Sequence, residues 1–189
     1  MKLSQKFEDA LLYANRMHCG QTRKKTGVPY VGHILGVTAI ALEYGANETE
    51  AIGALLHDVV EDCGGAERLA EIKHKFGAGV AKIVDGCTDT DQTPKPPWRE
   101  RKQMYLDHLK HSDSPTRLVS AADKLHNTRA ILADLRRQGP VVFERFSGKK
   151  DGTLWYYRAL VTAFRRHGDH SDLIDELDRV VTEIEERAD

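Results

Sequence analysis

Apolar residues return every three or four positions along nearly the whole of this sequence, and that period constrains the fold more than any other feature. Leu3, Phe7, Ala10, Leu11 and Ala14 share one face of a helix expected over 3–18. Val31, Ile34, Leu35, Val37, Ile40 and Leu42 mark a second, with Pro29 in its first turn. A third opens at Asn47, with Glu50 three residues on in the manner of a capping box, and is expected to run unbroken to Gly64-Gly65. Two short helices joined around Gly77 and Gly79 follow, then helices over 98–111, 115–137, 153–167 and 171–187. Pro94, Pro96 and Pro97 lack amide donors and fix φ, so the segment around them cannot be regular. No stretch alternates with period two for long enough to insist on a strand; "PVVF", in the connector after residue 138, is the one short candidate. The expected fold class is all-α, a helical bundle with no substantial sheet.

The length of 189 residues suits one domain over 1–189, with a motif-bearing core at about 5–165 and helices over about 153–187 closing it. With 28 Lys and Arg against 29 Asp and Glu, the net charge of −1 offers no general attraction for nucleic acid or a membrane surface. Cys19, Cys63 and Cys87 are odd in number and widely spaced, which argues against a disulfide framework and for a reducing compartment. The first twenty residues are amphipathic and charged, unlike a signal peptide, and no apolar run approaches the roughly 18 residues that span a bilayer. A cytoplasmic location is expected. Leu173, Ile174, Leu177, Val180, Val181 and Ile184 form a broad stripe that either packs onto the domain or makes a homo-oligomer surface.

The stretch "LLHDVVED" is where an apolar helix should bury its side, yet it carries His57, Asp58, Glu61 and Asp62. On one continuous helix, His57 and Asp58 lie about 100° apart and can converge on a point above the surface. An imidazole and a carboxylate so aimed are a start on a divalent-metal site. His33 in "PYVGHILG" and Asp123 in "VSAADKLHNTRAIL" sit in apolar helical settings and are suited to supply the rest. The alternatives are ordinary: a hydrogen-bonded core histidine for His33, pairing of Asp123 with Lys124 or Arg129, and a solvated acidic helix end for Glu61 and Asp62. That acidic end would oppose the helix macrodipole, so a cation among the carboxylates offsets a real cost.

The pattern of His33, His57-Asp58, Glu61-Asp62 and Asp123 resembles the HD superfamily of metal-dependent phosphohydrolases. "RKKTGVPYVGH", "ALLHDVVED" and "ADKLHNTRAI" are together similar to the hydrolase domain of the RelA/SpoT homologues, in the order and spacing of the free-standing small alarmone hydrolases. The resemblance implies one Mn²⁺ per chain, held by His33, His57, Asp58 and Asp123, with mixed nitrogen and oxygen ligands that suit that ion. It implies hydrolysis of the 3′-pyrophosphate of guanosine tetra- or pentaphosphate to GDP or GTP and pyrophosphate. Glu61 and Asp62 are the expected acid/base pair acting on water. Arg23 and Lys24, beside Lys25, match the basic pair that grips the nucleotide; Lys102, after Arg101 in "WRERKQMY", matches a phosphate contact. Asn127 matches an asparagine near the ribose, and Tyr156 or Tyr157 matches a tyrosine presented to the nucleotide. Where the long enzymes read "VKLADRLHN" this chain has Ser120 and Ala121, a difference beside the expected substrate contacts. The same chemistry on an adenosine analogue (ppApp) or on the 2′-phosphate of NADPH is the alternative substrate reading, and a nucleotide-binding module without turnover is the alternative class.

Overall fold

The computed structural model describes residues 2–23, 26–89, 94 and 96–188, and among them every extended element is helical. α1 (Gln5–Met17) begins where the Ser4 side chain accepts from the Lys6 amide, and it buries Ala10, Tyr13 and Ala14. Across the Thr22–Pro29 bridge, α2 (Val31–Glu43) follows with Tyr30 as its cap, so Pro29 stands just ahead of the helix rather than inside its first turn. α3 (Glu48–Leu56) carries the expected capping box: the Glu50 amide donates to Asn47 Oδ1 at 3.1 Å and the Asn47 amide to Glu50 Oε2 at 2.7 Å.

The expected single helix through "LLHDVVED" is two. α3 stops at Leu56, His57 and Asp58 form a turn, and α4 (Val59–Cys63) resumes before Gly64 at φ 137° ends it. The break changes the electrostatics argued from sequence. Glu61 and Asp62 lie in the first turn of α4, but with five residues that turn is also the last, so the macrodipole cost argued for one long helix does not carry over.

α5 (Gly65–Phe76) and α6 (Ala78–Cys87) meet at Gly77, as expected, and α7 (Trp98–Leu109) begins directly after Pro97. α8 (Ser114–Gln138) is the longest helix; Asp113 caps it by accepting from the Thr116 amide, and Pro115 sits in its first turn. "PVVF" is no strand: it lies in a 3₁₀ helix, η1 (Gly139–Arg145), where Val142 and Phe143 are buried. α9 (Lys149–Arg165) and α10 (Ser171–Ala188) complete the described structure.

α8 is the axis of the packing, in contact with α2, α3, α6, η1, α9 and α10. Leu173, Ile174, Leu177, Val181 and Ile184 of α10 join the same apolar cluster as Leu118, Leu125 and Leu132 of α8, which accounts for the stripe read from sequence. A second cluster joins Ala10 and Tyr13 to Ile34, Leu55, Leu56, Val59 and Ile72. His33, His57 and Asp123 are buried among these packed helices. No helix among the described residues is long and apolar enough to cross a membrane.

Candidate active site

The helix break at His57-Asp58 aims two consecutive side chains at one point. His57 Nε2 lies 2.9 Å from Asp58 Oδ2, and His33 Nε2, arriving from α2, lies 3.4 Å from the same oxygen. Asp123 Oδ1, from the middle of α8, stands 3.3 Å from His33 Nε2 and 3.8 Å from His57 Nε2. His33, His57 and Asp58 each offer one ligand atom, all within 4.8 Å of one another. Atoms about 2.0–2.2 Å from one ion sit roughly 3–3.5 Å apart when adjacent in its shell, so this spacing fits a divalent cation.

Two further observations favour that fit. His57 Nε2 is buried with no hydrogen-bond partner, despite its short approach to Asp58. Its other nitrogen, Nδ1, donates to the Ala54 carbonyl at 2.8 Å, which leaves the Nε2 lone pair facing the carboxylates. The cluster also draws positive charge. Burial opposes charge on His57, but Asp58 and Asp123 outweigh it and hold that imidazole's pKa well above its ordinary value. Asp58 and Asp123 are correspondingly held well below the usual carboxylate range, against burial, by the facing histidines and, for Asp123, first by Lys124. A divalent ion competes for the place of those protons.

Each carboxylate is tied from behind. Tyr30 donates its hydroxyl to Asp58 Oδ2 at 2.6 Å, and burial followed by the neighbouring Asp58 keeps that phenol protonated. Lys124 Nζ donates to Asp123 Oδ2 at 2.6 Å and Asn127 Nδ2 to Asp123 Oδ1 at 2.5 Å. The Lys124 pairing read from sequence as an alternative therefore coexists with the metal geometry, while Arg129 turns away to Glu176.

The expected acid/base pair lies on α4, just past the His57-Asp58 turn. Asp62 Oδ2 accepts from Gln21 Nε2 at 2.8 Å, and the Gln21 carbonyl oxygen accepts from His18 Nδ1 at 2.7 Å. Burial raises the Asp62 pKa, and Asp58 and Glu61 add to the rise against the Gln21 hydrogen bond. Glu61 Oε2 accepts from the Asp89 amide at 3.4 Å.

Of the expected substrate contacts, Arg23 and Asn127 join the network around Asp123, while Lys102 and Tyr156 meet each other beside Asp89. Arg23 Nη2 donates to Asn127 Oδ1 at 2.8 Å, while Arg23 Nη1 is buried with no hydrogen-bond partner. Lys102 donates to Asp89 Oδ2 at 3.0 Å, Arg101 also pairs with that carboxylate, and Lys102 lies 5.0 Å from the centre of the Tyr156 ring. Burial lowers the Lys102 pKa, although Asp89 works against the change. Tyr156 is only 6% exposed and packs against Trp98, Trp155 and Tyr157, so it underlies Lys102 rather than standing open. Lys24 and Lys25 lie outside the described residues.

Reading from sequence missed Tyr30, Gln21 and His126. Tyr30 and Gln21 flank the basic loop without a helical period to mark them. His126 is one turn from Asp123 on the same face, and that spacing was the available signal.

A family model for the HD domain matches residues 10–154. The guanosine-3′,5′-bis(diphosphate) 3′-pyrophosphohydrolase MESH1 of Danio rerio is 39% identical over 131 residues, 68% of each chain. The human protein of the same name is 39% identical over 136 residues, 70% of each chain. A solved structure, described as a metazoan ortholog of SpoT that hydrolyzes ppGpp, aligns with TM-score 0.79 at 29% identity over 95% of this chain and 96% of that one. The protein lmo0812 of Listeria monocytogenes aligns with TM-score 0.69 at 27% identity, over 79% of this chain and 96% of its own. With motif, ligand geometry and fold in agreement, the chain belongs to the HD-domain family and, within it, to the hydrolase-domain lineage of the RelA/SpoT homologues.

Proposed function

We propose that this protein is a Mn²⁺-dependent hydrolase that removes the 3′-pyrophosphate of guanosine tetra- and pentaphosphate, releasing GDP or GTP and pyrophosphate. The observation that carries the reading is the convergence of His33, His57 and Asp58, with Asp123 3.3 Å from His33 and 3.8 Å from His57. These four residues hold the ion. When bound, a divalent cation supplies Lewis-acid charge beside the reacting phosphoryl group and makes water more acidic.

The chain's own groups do the rest. Water oxygen bonds to the phosphorus next to the ribose, the bond from that phosphorus to O3′ breaks, and O3′ gains a proton. Glu61 and Asp62 take the proton that water loses and return one to the leaving oxygen. Asp62 is suited to this because burial raises its affinity for a proton while Gln21 holds its orientation. Arg23, Lys24 and Lys102 supply positive charge to the phosphates, and Asn127 fixes Arg23 beside the metal ligands. Tyr156 supports Lys102 from below.

Incubation of the purified protein with Mn²⁺ and ppGpp, ppApp or NADPH in parallel tests the reading. Pyrophosphate release from ppGpp, lost with EDTA and regained with Mn²⁺, is the expected result. Release from none of the three overturns it, and preferential release of phosphate from NADPH moves the assignment to a different substrate.

A further inference from the structure

Gly36 stands one turn after His33 on α2, and a Cβ built on it would lie 2.3 Å from two atoms of the His126 ring. Carbon atoms do not approach so closely, so the ring can occupy its place only because residue 36 has no side chain. The clearance lets His126 reach His33. Their ring centres are 4.8 Å apart and their Nδ1 atoms 2.9 Å apart. Two ring nitrogens at that distance share one proton, one donating and one accepting. His33 Nε2 faces Asp58 and Asp123, and a lone pair there for a cation requires the His33 proton on Nδ1. His126 Nδ1 is then the acceptor.

We propose, resting on the assignment of His33 as a metal ligand, that His126 is a positioning residue that fixes the tautomer and ring plane of His33, and that Gly36 is the clearance admitting it. The other ligand histidine has an equivalent support of a different kind: His57 Nδ1 donates to a backbone carbonyl, Ala54 O, at 2.8 Å. Supports of this type orient a ligand and raise its basicity, and their loss costs about 10–100-fold in metal affinity. One support belongs to the main chain and resists substitution; the other is a side chain and is open to it.

Titration of Mn²⁺ alone into the full chain, followed by calorimetry, tests the assignment. His126→Leu is expected to weaken binding by about 10–100-fold. His126→Asn, whose side-chain oxygen can accept near the original Nδ1 position, is expected to bind close to wild type. Gly36→Ala should weaken binding by displacing the ring, and should cost nothing further when added to His126→Ala, because the two changes act through one contact. Wild-type affinity in His126→Leu alongside loss in His33→Ala overturns the proposal and leaves the metal reading intact. Wild-type affinity in His33→Ala overturns the metal reading itself. Equal loss in His126→Leu and His126→Asn reduces His126 to packing and also overturns the proposal. Circular-dichroism melts without metal identify any variant that has lost its fold. If His126→Leu is one, His126→Asn decides by whether its affinity lies nearer wild type or nearer His33→Ala.

Discussion

Arg23 and Asn127 are 104 residues apart in the chain, yet Arg23 Nη2 donates to Asn127 Oδ1 at 2.8 Å. The same amide donates from its nitrogen to Asp123 Oδ1. One side chain thus links the basic loop before α2 to Asp123, a proposed metal ligand in the middle of α8. Arg23 keeps Nη1 buried and without a hydrogen-bond partner, a donor suited to an anionic oxygen. Asn127→Leu breaks both links. Steady-state kinetics on ppGpp should show kcat/KM lower by about 10–100-fold, as hydrogen bonds to charged groups contribute about 1.5–3 kcal/mol each. Unchanged kcat/KM would deny Asn127 a part in holding substrate.

Metal should be visible in stability as well as in rate. A ligand that binds only the folded state stabilises it by about 2.7 kcal/mol at a hundredfold excess over its Kd. The wild-type Tm should therefore rise on titration with Mn²⁺ and fall back with EDTA. His57→Ala removes the buried Nε2 that faces Asp58, so its melting curve should be insensitive to Mn²⁺. An equal Tm rise in both proteins would place the ion elsewhere.

Glu61 lies outside the four proposed ligands, so ion binding and turnover should separate at this position. Glu61→Gln keeps the size of the side chain and removes its ability to accept a proton. Turnover should drop by about 10²–10⁴-fold with Mn²⁺ affinity unchanged. Full activity in this variant would return the acid/base role to Asp62 alone.

A pH dependence away from the centre arises at the start of α8. Burial pushes the Asp113 pKa up, but Lys82 and the Thr116 hydroxyl and amide outweigh it and bring it to about 2. A carboxylate depressed below its unfolded value of about 3.9 contributes stability that is complete above pH ~4 and is lost as pH falls towards 2. Lys82 is 70% exposed, so screening reduces the contribution to about 1 kcal/mol, the usual worth of such a cap. Urea unfolding should show Asp113→Ala less stable by that amount at pH 7, with the gap narrowing from pH 5 to pH 3. A gap that holds constant over this range would mean that the charge of Asp113 is irrelevant to its capping.

The sequence was most legible where a local rule acts alone. Asn47 with Glu50 and the α10 stripe follow from capping and period and stand as expected. The cluster was legible because His57-Asp58, His33 and Asp123 are polar residues in apolar runs, and the fold brings them together. The helix break at His57 was not, since "LLHDVVED" contains no Gly or Pro and its apolar spacing continues smoothly; the tertiary packing of Val59 and Val60 overrides it. Val142 and Phe143 are equally at home in a strand or a 3₁₀ turn, and only contact with the α8–α10 core decides. Gly36 was unreadable in isolation, because its partner lies ninety residues downstream.

Asp123, His126 and Asn127 ride on the same helix that α10 clamps through Arg129 to Glu176 and Arg136 to Glu183. Cutting the polypeptide just ahead of Ser171 would take away none of the groups gathered around His57, yet it would strip the long helix of its longest neighbour. Damage at that remote joint would reach the helix that carries Asp123, His126 and Asn127 without touching any of them.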